Sequence, residues 1–278
     1  MLGNYNILAA LFLCFSITPF AMAQIANPIT TAYGSGTFET DRFSQHRPVF
    51  YLNPAILPFQ EYMIFSGHVE NRFTGFDLSA ISLLISHSFH HGIGAGVSFY
   101  HFGLSDYHHS GFQGNIGKRI GKNFSIGISE KIGRIKVLDE GRPWQGHTLI
   151  SVLYKTAGRG LMVSADGLIP FGKIQQENKS HPQLKLEIAG FQKLQPSTMI
   201  FMLIKYEADK FYPVAAIKQH ILGEAELYAS FQVFPARYGI GFTIPLVRTL
   251  LCMVSTQYHP VLGWSPNLGL QKSLKPKN

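Results

Sequence analysis

Gly92-Ile93-Gly94-Ala95-Gly96-Val97-Ser98-Phe99-Tyr100-His101-Phe102-Gly103-Leu104 is the stretch on which the fold assignment turns. It lies within residues 78–105, which contain no Asp, Glu, Lys or Arg, so length alone would allow a membrane-spanning helix. The order of residues argues otherwise. Ile93, Ala95, Val97 and Phe99 fall on one side of a period of two, and Gly94, Gly96, Ser98 and Tyr100 on the other. Successive strand side chains point to opposite faces, so this is a strand with one apolar and one small or polar face. Leu78–Phe89 reads as the strand before it, with His90-His91 as the turn.

The same texture recurs along the chain. Leu184-Lys185-Leu186-Glu187-Ile188 puts its apolar residues on one face and Lys185 and Glu187 on the other. Phe124-Ser125-Ile126-Gly127-Ile128-Ser129, Leu227-Tyr228-Ala229-Ser230-Phe231-Gln232-Val233 and Tyr238-Gly239-Ile240-Gly241-Phe242-Thr243-Ile244 repeat it. Between residues 60 and 274 the alternation predicts about fourteen strands, each near the ~10 residues a membrane-crossing strand needs. Their spans are 61–72, 77–89, 92–104, 110–120, 123–137, 145–156, 160–170, 183–194, 197–207, 211–221, 225–234, 237–246, 249–258 and 264–274.

Composition selects the architecture. Charged residues are only 14% of the chain, while hydrophobic residues are 46% and the mean hydropathy is +0.08. Soluble domains run near ~25% charged, and a water-soluble sandwich carries that charge on its outer face. A membrane barrel instead turns an apolar face to lipid and a small, polar face to its lumen. Ring closure also pairs every backbone group, which an open sheet edge in lipid cannot do. An antiparallel transmembrane β-barrel is therefore expected over 60–274. Phe73, Tyr100, Tyr107, Trp144, Phe171, Phe191, Tyr206 and Tyr258 flank its strands and fit interfacial girdles.

The first 23 residues carry no charged side chain, and an apolar stretch from Ile7 leads to Ala21-Met22-Ala23, a small-x-small cleavage pattern. Residues 1–23 are expected to be a signal peptide, which implies export. Cleavage there leaves Cys252 as the single cysteine, so no intramolecular disulfide can form. Residues 24–59, with Pro28, Pro48, Pro54 and Pro58 and no sustained period, form an irregular segment ahead of the barrel; 275–278 is a tail. The formal charge of +8 fits either plain solubility or contact with anionic lipid headgroups and lipopolysaccharide. No nucleic-acid partner is expected.

Asn53-Pro54-Ala55, between the irregular segment and the first strand, resembles the Asn-Pro-Ala signature of FadL-like and PorV-like outer-membrane barrels. Glu70-Asn71-Arg72-Phe73, the basic hairpin Gly117–Gly127 and the segment Tyr258–Pro266 extend the resemblance over most of 53–271. It implies fourteen strands, an N-terminal plug over 24–59 and a location in the outer membrane. The chain departs from the pattern in its shortness and in ending Leu274-Lys275-Pro276-Lys277-Asn278, without a terminal aromatic.

Twelve histidines invite a metal hypothesis, with His87, His90, His91, His101, His108 and His109 close in sequence. No cysteine accompanies them, and adjacent turns place them at different heights, so polar rim positions are the better reading. No Gly-x-Ser-x-Gly, His-Glu-x-x-His or phosphate-loop motif is present. Neither an enzyme, a cofactor nor a metal site is expected. The inward polar set His68, Glu70, Arg72, Lys185, Glu187 and Lys205 either binds a plug or lines a transport pathway, and a buried charge needs a partner in both cases. Asn53 and Pro54 are expected to turn the plug into the first strand. Two functions follow from the resemblance. The first is a secretion-associated docking component resembling PorV, of the type IX kind, with other secretion proteins as partners. The alternative is a FadL-like conduit for hydrophobic small molecules.

Overall fold

The computed structural model describes residues 34, 37, 39–74, 78–104, 107–137, 140–141, 144–170, 184–223 and 225–275. The expected signal peptide at 1–23, residues 24–33 of the irregular segment, Phe171 and residues 276–278 of the tail lie outside them.

The strands are β1 Met63–Arg72, β2 Leu78–Phe89, β3 Ile93–Gly103, β4 Tyr107–Arg119, β5 Phe124–Val137, β6 Gln145–Lys155 and β7 Arg159–Pro170. They continue as β8 Leu184–Gln195, β9 Thr198–Glu207, β10 Lys210–His220, β11 Glu226–Gln232, β12 Arg237–Val247, β13 Leu250–His259 and β14 Gly263–Leu274. A two-residue extension, Glu140–Gly141, pairs only with the end of β5. Observed boundaries fall within three residues of those expected from the alternation. The last connection, within the Tyr258–Pro266 segment, is short: β13 runs to His259 and β14 starts at Gly263.

Each strand is antiparallel to its neighbours in sequence, and β1 pairs with β14 from Met63↔Leu274 to Glu70↔Asn267. That seam closes the ring. A closed ring leaves no unpaired edge, which is the condition for β-structure in hydrocarbon. No described helix is long and apolar enough to cross a membrane. One end of the barrel carries Met63 and Leu274 and is called the chain-end side; the other is the loop side. Strand lengths are uneven: β5 has 14 residues and β11 only 7. With Val214↔Gln232 the last rung between β10 and β11 on the loop side, Lys210, Phe211 and Tyr212 have no ladder partner there.

The two faces divide as the alternation requires. Ile81, Leu83, Ile116, Ile128, Ile150, Val163 and Ile188 point outward and are each about half exposed. Ser82, Ser98, Ser125, Ser129, Ser151 and Ser164 point inward and are buried. On the loop-side rim, Phe231, Tyr238, Tyr258 and Trp264 stand on successive strands, with ring centroids 5.3, 6.4 and 4.9 Å apart. Such a row matches an interfacial girdle. Tyr100 and Phe191, expected in that girdle, are instead buried on the inner face. Alternation places both on the lumen side, where their rings fill core space.

Depth along the lipid-facing wall sets the cost of a charge there. Ile128→Arg, well inside the band, should destabilise the folded barrel by about 2–4 kcal/mol, and Ile120→Arg at the chain-end turn by about 0–1. Denaturant unfolding in detergent, followed by the gel shift between unheated and boiled samples, measures both.

Candidate functional site

Residues 39–60 lie inside the ring. Val49, Phe50, Tyr51, Leu52, Ala55, Ile56 and Leu57 are buried, and residues 54–59 form a short 3-10 helix. Pro54 starts that helix, since its ring presets the backbone angle and its missing N–H needs no partner there. The seat is cut to fit it. The inward glycines Gly117 and Gly127 admit the backbone of Pro54 and Ala55 so closely that a Cβ at either would collide with it. Hydrogen bonds fix the contact: Ser125 Oγ donates to the Ala55 carbonyl at 2.6 Å, and the Ala55 N–H donates to Ser151 Oγ at 3.2 Å. Gln113 Nε2 donates to the Tyr51 carbonyl at 2.8 Å.

Asn53 is fully buried, and its Nδ2 donates to the Arg42 carbonyl at 2.7 Å. It thus folds the lumenal segment back on itself. Asn53-Pro54-Ala55 therefore sits against β4, β5 and β6, and the turn into β1 is made later, at residues 60–62.

Charge ties the segment to the opposite wall. Arg42 Nη1 meets Glu187 Oε2 at 2.6 Å, and the side chains are 2% and 5% exposed. Arg47 pairs with Glu226 at 2.8 Å, Lys218 with Asp41 at 2.9 Å and Lys205 with Glu39 at 3.2 Å. Lys185 bridges Glu187 at 3.5 Å and Glu207 at 3.9 Å. The segment contributes both signs, and β8 to β11 supply the complements. Burial by itself would raise the Glu39 carboxyl, but Lys205, Arg42 and Lys185 outweigh it and hold the group below the usual carboxylate range.

Of the residues expected on the inner wall, Lys185, Glu187 and Lys205 converge in this network. His68, Glu70 and Arg72 line β1: Arg72 Nε donates to Glu70 Oε2 at 2.9 Å, its guanidinium lies 4.5 Å over the Phe102 ring, and His68 Nε2 is 3.1 Å from Ser66 Oγ. Sequence reasoning missed Glu39, Asp41, Arg42 and Arg47 on the segment and Lys218 and Glu226 on the wall. The signal was available: four charges within 39–47 of a charge-poor chain, and strand parity placing Lys218 with Val214 and Ala216.

Of the cavities along the segment, one of about 450 Å³ lies beside Pro58, Phe59 and Gln60, and two others meet at Asp41-Arg42. The larger, about 1020 Å³, opens on the chain-end side; Phe43, Phe191 and Met199 form its apolar part and Lys193, Arg248 and Lys275 stand around it. The Phe43 and Phe191 rings are 4.8 Å apart, with Phe201 behind at 6.1 Å. The smaller, about 50 Å³, is polar and is lined by Arg42, Gln113, Lys131, Asp166 and Glu187. Asp41 borders the first and Arg42 the second, so this dipeptide is the partition between them. The histidines do not converge: among the described residues no group of three or more His, Cys, Asp or Glu could hold a metal ion.

No protein-family model matches the sequence, and no curated protein matches it. Solved structures match in fold. The CymD monoaromatic hydrocarbon channel superposes with a TM-score of 0.66 at 10% identity, covering 89% of this chain and 98% of that one. The Ralstonia pickettii toluene transporter TbuX gives 0.60 at 8% identity, covering 82% and 94%. The Acinetobacter baumannii outer membrane protein Omp33 gives 0.53 at 8%, covering 77% and 98%. At such identities the likeness is one of fold. Together with the closed ring and its apolar exterior, it makes the chain an outer-membrane β-barrel; a PorV-specific relationship gains nothing from it.

Arg42→Met removes the shortest ion pair of the buried Glu187, leaving Lys185 at 3.5 Å and the Ser164 hydroxyl at 3.3 Å, and should cost about 3–5 kcal/mol, whereas the double change Arg42→Met with Glu187→Met should recover most of that loss. Denaturant unfolding of the refolded barrel separates the two. The Lys205–Glu39 tie carries a pH sign: a depressed folded pKa gives stability above the ordinary carboxylate value that is lost as pH falls through the folded one. Protease nicking of the segment should rise on acidification, and Lys205→Met should flatten that dependence.

Proposed function

We propose that the barrel is a gated conduit for hydrophobic small molecules across the outer membrane, the lumenal segment being its gate. The observation that carries this is the partition at Asp41-Arg42. An aromatic-floored cavity large enough for a small organic molecule lies on one side of it, and a polar cavity on the other. Pockets that bind such ligands are mostly apolar with a few placed polar groups, and Phe43, Phe191 and Met199 supply the apolar part. The fold shared with CymD and TbuX, named for a monoaromatic hydrocarbon channel and a toluene transporter, supports the same reading.

Passage requires the segment to move, because buried ion pairs close the route between the cavities. This reading calls on binding and displacement only and on no reacting group. It also displaces the secretion-associated docking role. A docking barrel needs a filled lumen and a free aromatic rim. Here cavities flank the lumenal segment, and the aromatic row Phe231-Tyr238-Tyr258-Trp264 has the place of a membrane girdle.

Expression in cells whose lipopolysaccharide leaflet slows entry of apolar compounds should raise the initial accumulation rate of labelled toluene several-fold. Phe191→Arg should return the rate to background, and the double change Arg42→Met with Glu187→Met should raise it further. Unchanged accumulation with a folded, heat-shifting barrel in the outer membrane would sink the conduit reading.

A further inference from the structure

The chain-end cavity of about 1020 Å³ carries more charge than a neutral passenger uses. Six cationic side chains lie on its lining against three acidic ones. The ties of the lumenal segment account for two of each sign: Lys218 meets Asp41 at 2.9 Å, and Arg47 meets Glu226 at 2.8 Å. Glu61, which accepts a hydrogen bond from Gln45 Nε2 at 3.1 Å, is the remaining acid. Lys155, Lys193, Arg248 and Lys275 are the remaining cations, and none of them pairs with a carboxylate among the described residues. Lys193, Arg248 and Lys275 are exposed, where Lys and Arg carry their full charge at neutral pH. The lining thus has an excess of three positive charges.

Lys155 is the cation built into the site. It ends β6, on the inward parity of Ser151 and Leu153, and is partly buried. Its ammonium donates to the Phe43 carbonyl at 2.7 Å and to Gln45 Oε1 at 3.2 Å. Both acceptors are neutral, and an ammonium has three donors, so one donor and the whole charge are left over. The residue that positions this ammonium also supplies the apolar surface beside it. The Phe43 ring is 4.8 Å from that of Phe191, and Met199 completes the patch. Charge and ring are therefore held in a fixed relation by Phe43.

A neutral passenger meets only the apolar part of this lining and leaves the four cations as they are. An anion supplies what the lining lacks, and its hydrogen bond to an ammonium is charge-assisted. One spare donor beside an apolar floor suits a compact head with a single charge, a carboxylate. The floor narrows the body of the ligand. Phe43, Phe191 and Phe201 form a row of rings spaced 4.8 and 6.1 Å apart. A further ring extends such a row by offset or edge contact, and a thioether such as Met199 packs well on an aromatic edge.

We propose that the chain-end cavity binds an aromatic carboxylate, its ring on Phe43, Phe191 and Met199 and its carboxylate on Lys155, with Lys193 and Arg248 drawing the anion in from the rim. The inference rests on the conduit reading for the passage of such acids, and it adds a charged class to the neutral passengers of that conduit.

The test uses the full barrel in phosphatidylcholine liposomes, with protein-free liposomes as the blank and fluorine NMR to follow free and bound ligand. The probe is para-trifluoromethylbenzoate, and para-trifluoromethylbenzamide is its neutral counterpart. The acid should bind about ten-fold more tightly than the amide. Lys155→Met should bring the two to equal affinity, and Lys155→Arg should restore the preference. Because Lys155 also holds the lumenal segment, a second variant leaves it in place: Lys193→Gln with Arg248→Gln should lower the preference for the acid several-fold. Each variant is measured on barrel that keeps its heat shift. Benzoate should displace the probe at lower concentration than octanoate does. Equal affinity for acid and amide in the unaltered barrel, binding of neither, a preference that survives both variants, or displacement by octanoate as readily as by benzoate would each overturn the proposal. Toluene accumulation reports on the conduit separately. Raised accumulation with no preference for the acid removes the carboxylate site and keeps the conduit, and a preference without accumulation does the reverse.

Discussion

A peptide group that leaves water must find a partner, and hydrocarbon offers none. This constraint determines the seam between β1 and β14, because a ring of antiparallel strands is complete only when its first and last members pair. Once the ring closes, the alternation of each strand has a fixed meaning. One set of side chains faces lipid and must be apolar; the other faces the lumen and is free to be small or charged. The low charge content of the chain is the compositional shadow of that division. Charges cannot be spread over the outer wall, so they collect inside, on the rims and on the segment that fills the lumen.

The lumen then poses the opposite problem. Arg42, Arg47, Glu187, Glu226 and Lys218 are buried, and ions removed from water must be paired. The segment and the wall solve this jointly, each supplying what the other lacks. Such pairs contribute less to net stability than to position, because replacing both members by apolar groups costs little while removing one costs much. The lumenal segment is thus held in one register, with Phe50 and Leu57 against the inward glycines of β3, Pro54 and Ala55 against those of β4 and β5, and its charges against β8 to β11.

The strands were legible because their period has a single physical cause. The inner face of β3 shows it: Gly94 and Gly96 read as small lumen positions, and their smallness has a use that one strand cannot reveal, namely the approach of Leu57 and Phe50. Lys185, Glu187 and Lys205 were legible as inward charges from parity alone. Their partners Glu39 and Arg42 were not, because the segment that carries them has no period, and an irregular backbone gives no rule for where a side chain points. Tyr100 and Phe191 show the converse. A reading that counted aromatics near strand ends placed them in the girdle, whereas parity placed them inside.

The uneven strand lengths have a geometric consequence for the mouth of the barrel. With seven residues in β11 against fourteen in β5, the loop-side rim is cut obliquely. The wall stands high over β4 and β5 and low at β11, where Lys210, Phe211 and Tyr212 of β10 project past their neighbour. A mouth cut on a slant faces partly along the membrane plane instead of straight out of it. On the proposed conduit reading, a molecule moving within the headgroup layer meets the lumen first at β11, while one descending from the solvent above β5 meets wall.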